Sequence, residues 1–426
     1  MDLLQEYRWR GMLHDHTEGA PEAFAAEPLT AYIGFDPTAP SLHVGSLLPI
    51  MGLVHLQRAG HHPVALVGGG TGLIGDPSGK TEERKLLTKE ETEVNLAGIR
   101  GQLERFLDFE TPGNPARIVN NLDWLGEFRF LDFLRDVGKH FSVNALVRKE
   151  TVRRRLEDDE SGISYTEFSY ILLQAYDFLE LFDRFGCRAQ LGGSDQWGNI
   201  TAGIDLIRRT RGERAYGAVV PLVTTRSGGK FGKTEEGTIW LDPERTSPFK
   251  FYQFWLNVDD ADVGRYLRYF SLMAREEVEE LEEATRERPR AREAQKALAR
   301  EVTERVHGRE GLDRAQAATG VLFGGGEVES LTPGEIEEVF EDVPSGTLSR
   351  MDLEGDGRSL VEILAETGLT RSRGEARRAL EQGGVYLNNR RETNVQRHVT
   401  LEDAVAGSFL VLRKGKKSYH LVRIQE

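Results

Sequence analysis

The sequence predicts an α/β protein in which a parallel sheet is followed by a helical region and a small, basic α+β unit. Short apolar runs alternate with amphipathic helical stretches over residues 30–225, which is typical of a parallel sheet. Residues 246–320 are rich in Glu and Arg and have helical periodicity with almost no strand pattern. The segment after Gly357 is basic, whereas the preceding chain is acidic.

A chain of 426 residues is too long for one hydrophobic core and indicates two or three domains. We expect domains over residues 1–240, 241–325 and 358–426, with a connecting region over 326–357 that is rich in Gly, Pro and acids. No apolar run approaches the roughly 18 residues of a membrane span, and the first residues carry acids where a signal peptide is apolar. The chain has one cysteine, Cys187, so we expect a cytoplasmic protein without an intrachain disulfide or a membrane segment.

The charge is distributed unevenly along the chain. Residues 358–426 contain 13 Lys and Arg against 8 Asp and Glu, although the formal net charge of the whole protein is −14. The remaining residues therefore carry a net charge of −19. A basic C-terminal unit on an acidic body suggests contact with nucleic acid, and a chance surface imbalance is the alternative.

Four apolar runs are predicted as buried strands, and each ends in small or polar residues. They read LTAYIGF, HPVALVGG, ARIVNN and CRAQLGG. The long helix predicted over residues 162–181 begins with a capping box, Ser164 and Glu167. On its apolar body Tyr170, Gln174 and Asp177 share one face. This polar stripe is either a solvent face or the wall of a ligand pocket.

Two glycine motifs match known phosphate loops only superficially. Residues 70–75 fit the dinucleotide pattern G-x-G-x-x-G, but Asp76-Pro77 follows at once and prevents the helix that this motif needs. Residues 74–81 nearly match a phosphate-binding loop, but Ile74 replaces its first glycine. We interpret residues 68–76 as a ligand-facing loop at the end of a strand, the alternative being a tight surface turn.

Two further stretches carry polar groups that suit a nucleotide ligand. GGSDQWGN places Asp195 and Gln196 at the end of a predicted strand, where a helix begins. TTRSGGKFGKTEEGT is a glycine-rich loop with Lys230 and Lys233, which either closes over phosphates or is a solvated basic turn. His14 and His16 make a poor metal site without a third ligand nearby, and Cys187 is expected to be a small buried hydrophobe.

These stretches together resemble the bacterial tyrosyl-tRNA synthetases, which are class I aminoacyl-tRNA synthetases. The resemblance covers essentially the whole chain and depends on YIGFDPTAPSLHVGS, ALVGGGTGLIGDPSGK, SYTEFSYILLQAYDF, LGGSDQWGNI and KFGKT, in that order. It implies a Rossmann-like parallel-sheet catalytic domain, an all-α anticodon-side domain and an S4-like RNA-binding domain. It also implies a ligase that joins L-tyrosine to tRNA(Tyr) at the expense of ATP, with Mg²⁺ accompanying ATP and no structural metal.

The resemblance assigns the ATP site to two signature motifs, HVGS (residues 43–46) and KFGKT (residues 230–234). It implies that His43 binds the triphosphate and that Gly45 allows adenine to approach the backbone. Lys230 and Lys233 would stabilise the departing pyrophosphate, and Asp195 would bind the ribose. The remaining residues implied at the phosphate end are Thr38, Ser46 and Thr234. Ser46 stands where the family usually has histidine, and its hydroxyl is shorter and cannot carry a charge.

The resemblance also implies a tyrosine pocket. Tyr32 and Asp177 would bracket the phenolic hydroxyl, and Asp76, Tyr170 and Gln174 would hold the ammonium group. Gln196 would lie near the carboxylate and Asp36 in the same wall. Phenylalanine would be rejected because it leaves buried polar groups unpaired, an effect for which this family is itself the usual illustration.

The C-terminal unit and a central segment complete the resemblance. Residues 370–392 resemble an S4 RNA-binding fold, and residues 133–144 lie where the family forms its homodimer. The basic residues expected to contact RNA are Arg371, Arg373, Arg377, Arg378, Lys414, Lys416 and Lys417.

Two alternatives remain at this point. A tryptophanyl-tRNA synthetase would share the fold, but Tyr32 and Asp177 do not suit an indole pocket. A regulatory RNA-binding protein built on an inactive synthetase core is supported only by Ser46.

Overall fold

The structure is a computed structural model of the chain. It describes residues 2–78, 87–149, 152–153, 156, 163–225, 231–234 and 237–425. Its helices are α1 (Leu3–Arg10), α2 (Ala20–Ala26), α3 (Leu47–Arg58), α4 (Lys89–Leu103), α5 (Leu122–Leu125), α6 (Phe130–Asp136), α7 (Val143–Leu146), α8 (Tyr165–Phe185), α9 (Trp197–Arg211), α10 (Pro248–Leu256), α11 (Asp260–Phe270), α12 (Arg275–Glu287), α13 (Glu293–Leu322), α14 (Pro333–Val339), α15 (Leu360–Glu366) and α16 (Arg373–Glu381). Its strands are β1 (Asp15–His16), β2 (Thr30–Phe35), β3 (His62–Val67), β4 (Arg117–Asn120), β5 (Cys187–Gly193), β6 (Tyr216–Val220), β7 (Lys233–Thr234), β8 (Gly237–Thr238), β9 (Ser345–Ser349), β10 (Arg358–Ser359), β11 (Val385–Leu387), β12 (Arg390–Glu392), β13 (His398–Val399), β14 (Phe409–Lys414) and β15 (Ser418–Gln425).

The predicted parallel sheet is confirmed, and its strand order creates a ligand crevice. The order is β1-β6-β5-β2-β3-β4, with β2 to β6 parallel and the short β1 antiparallel at one edge. The chain moves from β2 towards β3 on one side and later adds β5 on the other. The carboxyl ends of β2 and β5 therefore flank the point where the connections diverge, which is where open α/β sheets bind ligands.

Long-range packing divides the chain into two compact units. One comprises Met1–Ser247 and Phe254–Val306, and the other comprises Pro248–Gln253 and His307–Glu426. The helical region expected over residues 241–325 is present as α10 to α13, and Gly308 interrupts α13 with φ 75° and ψ 176°. No helix among the described residues is both long and apolar enough to cross a membrane.

The second unit contains a five-stranded sheet of order β12-β11-β14-β15-β9. The basic helix, the Gly383-Gly384 pair and the following strand occur as expected in α16 and β11. The segment that we expected to be a linker differs from the prediction. The sequence allows a helix over residues 335–341, which occurs as α14, but it does not predict strand β9, which pairs in parallel with β15. Ile336 and Phe340 lie in one buried cluster with Val411 and Leu421 of the sheet. The segment therefore covers apolar side chains of the sheet that would otherwise be exposed to water.

Candidate active site

A pocket of about 320 Å³ opens at the carboxyl ends of β2 and β5. Its lining contains these predicted residues: Tyr32, Asp36, Thr38, His43, Gly45, Ser46, Asp76, Tyr170, Gln174, Asp177, Asp195 and Gln196. The structure therefore brings together residues from four separate stretches of sequence, 32–46, 76, 170–177 and 195–196. Lys230 lies outside the described residues, as do the side chains of Lys233 and Thr234, whose backbone forms β7.

Helix α8 supplies one wall of the pocket, and its start is fixed by the predicted capping box. The Ser164 side chain accepts from the Glu167 backbone N–H, and the Glu167 carboxylate accepts from the Ser164 backbone N–H. The stripe of Tyr170, Gln174 and Asp177 lines the pocket, which excludes the alternative of a solvent face. Tyr170 and Asp177 are buried.

Asp177 is held by two donors at the buried end of the pocket. The Asn121 Nδ2–H donates to its Oδ2 at 2.9 Å, and the Trp124 Nε1–H donates to its Oδ1 at 2.7 Å. Burial raises the pKa of Asp177 to about 8, although these two hydrogen bonds act in the opposite direction. The carboxyl group is therefore held in one position, and burial makes its ionised form energetically unfavourable.

Tyr32 stands beside this carboxyl group with an unsatisfied hydroxyl. It is 1% exposed, and its hydroxyl has no hydrogen-bond partner among the described residues. Burial, and then the charge of Asp177, raise the pKa of Tyr32 above its ordinary value. On the neighbouring strand Gln190 is paired with Tyr32, and its Oε1 is also buried without a partner among the described residues. Such groups cost free energy unless a ligand or water satisfies them, so they favour a polar group bound here.

A second network occupies the opposite side of the pocket. The Gln196 Nε2–H donates to Asp76 Oδ2 at 2.7 Å, and the Gln174 Nε2–H donates to Gln196 Oε1 at 3.2 Å. The Asn199 Nδ2–H donates to Gln174 Oε1 at 2.8 Å. Burial, and then Asp76, raise the pKa of Asp195 above its usual range. Carboxylate and amide oxygens therefore converge where a cationic group would be stabilised.

Asp36 ties the loop between β3 and α4 to helix α8. The Thr71 hydroxyl donates to Asp36 Oδ1 at 2.9 Å, and the Tyr170 hydroxyl donates to Asp36 Oδ2 at 2.8 Å. A Cβ added to Gly68 would lie 2.3 Å from Asp36 Oδ1, so this glycine is required by a close approach. Only a short 3-10 turn, Thr71–Leu73, forms here, and the dinucleotide interpretation is excluded.

The HVGS motif forms a capped turn ahead of α3. The Gly45 backbone N–H donates to His43 Nδ1 at 3.0 Å, so a neutral His43 ring carries its proton on Nε2. A Cβ at position 45 would lie 2.7 Å from His43 Cε1. Gly45 is thus needed for the position of the histidine ring. The approach of adenine to this glycine stays a prediction. Ser46 lines the pocket, and its side chain makes no capping hydrogen bond to α3.

Sequence reasoning missed the residues that hold the site in place. These are Thr71, Asn121, Trp124, Gln190 and Asn199. Two signals could have indicated them. Asn121 directly follows the end of a parallel strand, and Gln190 is a polar residue inside an otherwise apolar buried strand.

Comparisons with known proteins agree along the whole chain. The family described as class I tRNA synthetases (W and Y) matches residues 25–324, and the tyrosine–tRNA ligase SYY-like C-terminal domain matches residues 335–422. The tyrosine–tRNA ligase of Roseiflexus castenholzii is 56% identical over 422 residues, 99% of each chain. That of Bacillus caldotenax is 54% identical over 426 residues, 99% of this chain and 100% of the relative.

A solved structure supports the same assignment. A C-terminally truncated mitochondrial tyrosyl-tRNA synthetase from Aspergillus nidulans superposes with a TM-score of 0.68 at 30% identity. It covers 76% of this chain, and the match covers 94% of that chain. The C-terminal domain and the identities distinguish this chain from the tryptophanyl enzymes, with which it shares the catalytic fold. The chain belongs to the bacterial tyrosine–tRNA ligases, a family of class I aminoacyl-tRNA synthetases.

Proposed function

We propose that this chain activates L-tyrosine with ATP and transfers the tyrosyl group to the 3′-terminal adenosine of tRNA(Tyr), in the cytoplasm. A tyrosine carboxylate oxygen attacks the α-phosphorus of ATP, and the bond to the bridging oxygen of pyrophosphate breaks. A ribose hydroxyl of the terminal adenosine then attacks the tyrosyl carbonyl carbon, and AMP departs. Mg²⁺ enters as part of the ATP substrate.

The observation that carries this proposal is the pair of Tyr32 and Asp177 in the pocket. A phenolic hydroxyl placed between them donates to the Asp177 carboxylate and accepts from the Tyr32 hydroxyl, which satisfies a buried donor. Phenylalanine cannot do this: it leaves the Tyr32 hydroxyl unpaired and gives the Asp177 carboxylate no additional donor, which is how such sites discriminate. The substrate ammonium group is then held by Asp76, Tyr170 and Gln174, with Asp36 fixing Tyr170. Gln196 lies beside them for the carboxylate.

The chemistry at the α-phosphate needs position and charge rather than a general base, because the nucleophile is already a carboxylate. The His43 Nε2–H donates to a phosphate oxygen, and Gly45 lets adenine lie against the backbone. Asp195 accepts from the ribose, and Thr38 and Ser46 contact the phosphate end of ATP. Lys230, Lys233 and Thr234 act on the leaving pyrophosphate.

The basic C-terminal unit is proposed to bind tRNA. Arg371, Arg377, Arg378, Lys416 and Lys417 are exposed, and none has an ion-pair partner among the described residues. Arg373 and Lys414 pair with Glu362 and Glu375, at 3.1 and 2.5 Å. The unpaired cations are available to phosphates without first breaking a protein contact.

We also propose a homodimer through the segment around residues 130–143. Phe130, Leu131 and Val143 are 66%, 74% and 62% exposed, an unusual concentration of large apolar side chains on one stretch. Sedimentation velocity tests this proposal. Leu131→Asp is expected to yield monomers, whereas Val94→Asp, at a comparably exposed position elsewhere, is expected to leave the dimer intact. Monomeric wild-type protein at micromolar concentration would contradict the proposal.

The activity itself is tested by ATP–pyrophosphate exchange. Exchange that depends on tyrosine supports the assignment. Exchange with tryptophan but not tyrosine, or none with either amino acid in protein that binds ATP, would overturn it.

A further inference from the structure

The residues after the KFGKT motif connect this motif directly to His43. Ile239 donates its backbone N–H to Gly232 O at 3.0 Å, and Val44 donates its backbone N–H to Ile239 O at 3.0 Å. Leu241 donates to Leu42 O at 2.9 Å, so His43 and Trp240 form an antiparallel bridge. The segment 239–241 therefore contacts both signature motifs.

The side chains reinforce this backbone connection. The Trp240 ring meets the His43 ring edge to face, with centroids 6.2 Å apart and an interplanar angle of 76°. Arg245 places its guanidinium carbon 3.9 Å from the centroid of the Trp240 ring. The Trp240 backbone N–H donates to Thr246 Oγ1 at 3.0 Å. Trp240 is thus held from two sides while it contacts His43.

The His43 side chain is exposed on the turn that the HVGS motif forms. The Gly45 backbone N–H donates to its Nδ1 from two residues away, so this hydrogen bond is local. A local bond fixes the tautomer but leaves the turn free to move as a whole. A packed aromatic neighbour on a separate segment fixes the ring relative to the KFGKT side of the site.

We infer that Trp240, held by Arg245, is a positioning residue that sets the His43 ring for ATP and couples it to the KFGKT motif. The inference rests on the phosphate-binding role proposed for His43. In this role Trp240 touches no substrate and acts only through His43.

The test is a double-mutant cycle measured by ATP–pyrophosphate exchange. Trp240→Leu keeps the apolar volume but removes the ring, and is expected to lower kcat/KM for ATP about three- to tenfold, the range that an aromatic pair supports. Trp240→Phe keeps a ring edge and should recover activity to within about twofold. In the His43→Ala background Trp240→Leu should have no further effect, because the residue that it positions is gone.

Two controls separate this inference from a general structural role. Equilibrium tyrosine affinity should be unchanged in Trp240→Leu. Trp9→Ala, which removes another tryptophan stacked by an arginine in the same unit, should leave exchange unchanged. If Trp240→Leu weakens tyrosine binding, Arg245→Gln replaces it in the cycle, because Arg245 is exposed and its loss opens no core.

Each outcome decides the matter. A Trp240→Leu loss that persists in the His43→Ala background, or no loss in Trp240→Leu at all, overturns the positioning inference while leaving the proposed function intact. A His43→Ala protein with normal exchange overturns the proposed role of His43, and this inference with it.

Discussion

Asp177 illustrates how a single residue can carry the specificity of the site. Asp177→Asn is expected to weaken tyrosine binding roughly 10- to 100-fold, because the substrate hydroxyl loses a charged acceptor. ATP affinity should not change, since Asp177 lies at the far end of the polar stripe. Calorimetric titration with each ligand checks both expectations. An unchanged tyrosine affinity would contradict the proposed role of Asp177 in binding tyrosine.

The same residue predicts a pH dependence. The pKa of Asp177 is about 8, and a phenolic hydroxyl donates more strongly to the ionised carboxylate than to the protonated acid. Tyrosine affinity should therefore increase as the pH rises from 6 towards 8, and binding at pH 7 should release a proton. Titration in buffers of different ionisation enthalpy measures that proton. The Asp177→Asn protein serves as the control and should show neither effect.

Position 46 should matter much less than position 43. Ser46→Ala removes at most one neutral hydrogen bond, about 1 kcal/mol or fivefold in the activation rate, whereas His43→Ala removes a phosphate donor and should cost far more. Single-turnover formation of tyrosyl-adenylate compares the two. Losses of similar size would mean that the Ser46 hydroxyl contacts the transition state.

At the level of elements, the packing of the KFGKT motif against HVGS depends on one glycine. Gly232 has φ 76°, and a Cβ there would lie 2.3 Å from Val44 Cγ2. Gly232→Ala should slow tyrosyl-adenylate formation by roughly tenfold or more, because the clash with Val44 displaces the segment 239–241 from HVGS. Gly212→Ala is a matched control, with φ 73° and no atom within 4 Å of the added Cβ, and should cost only stability. Equal activation rates in both variants would argue against the connection between the motifs.

The elements also show what could be predicted from sequence. The strands β2 to β5 and the cap of α8 follow from apolar runs and one local hydrogen-bonding pattern, so the sequence alone specifies them. The residues that support the site could not be identified in this way. Asn121 contacts Asp177 across 56 positions of sequence, and Trp240 contacts His43 from a different segment again. Such contacts depend on sheet order, which no local pattern encodes. For the same reason the sequence does not predict strand β9, which lies in the segment expected to be a linker.

For the whole molecule, removal of the second unit should separate the two reactions. A chain ending at residue 324 should form tyrosyl-adenylate normally and lose tRNA charging, since the described residues of the pocket all lie in the first unit. A chain ending at residue 355 should show the same split but aggregate, because β9 and Ile336 then lose their partners. Retained charging in the shorter protein would show that the basic unit is not the RNA anchor.

Salt provides an independent test of the RNA surface. Affinity for tRNA should fall steeply with salt concentration, and the double substitution Lys416→Ala/Lys417→Ala should reduce the slope of log affinity against log salt by roughly 1.5 to 2. The double substitution Lys296→Ala/Arg300→Ala, outside the C-terminal unit, is the control for a general loss of charge. Filter binding at several salt concentrations gives both slopes. An unchanged slope in the Lys416/Lys417 variant would show that these two lysines do not contact the phosphates of the tRNA.

The parallel pairing of β9 with the last strand has a consequence for biosynthesis. During translation Ser345–Ser349 emerges from the ribosome long before Ser418–Gln425, so β9 remains an unpaired edge until β15 has been synthesised. The unit that contains the pocket has all its residues by Val306 and can fold while synthesis continues. A nascent chain would thus form the pocket first and the sheet that contains β9 only after β15 has emerged. A nascent chain stalled between these points would expose an unpaired strand edge.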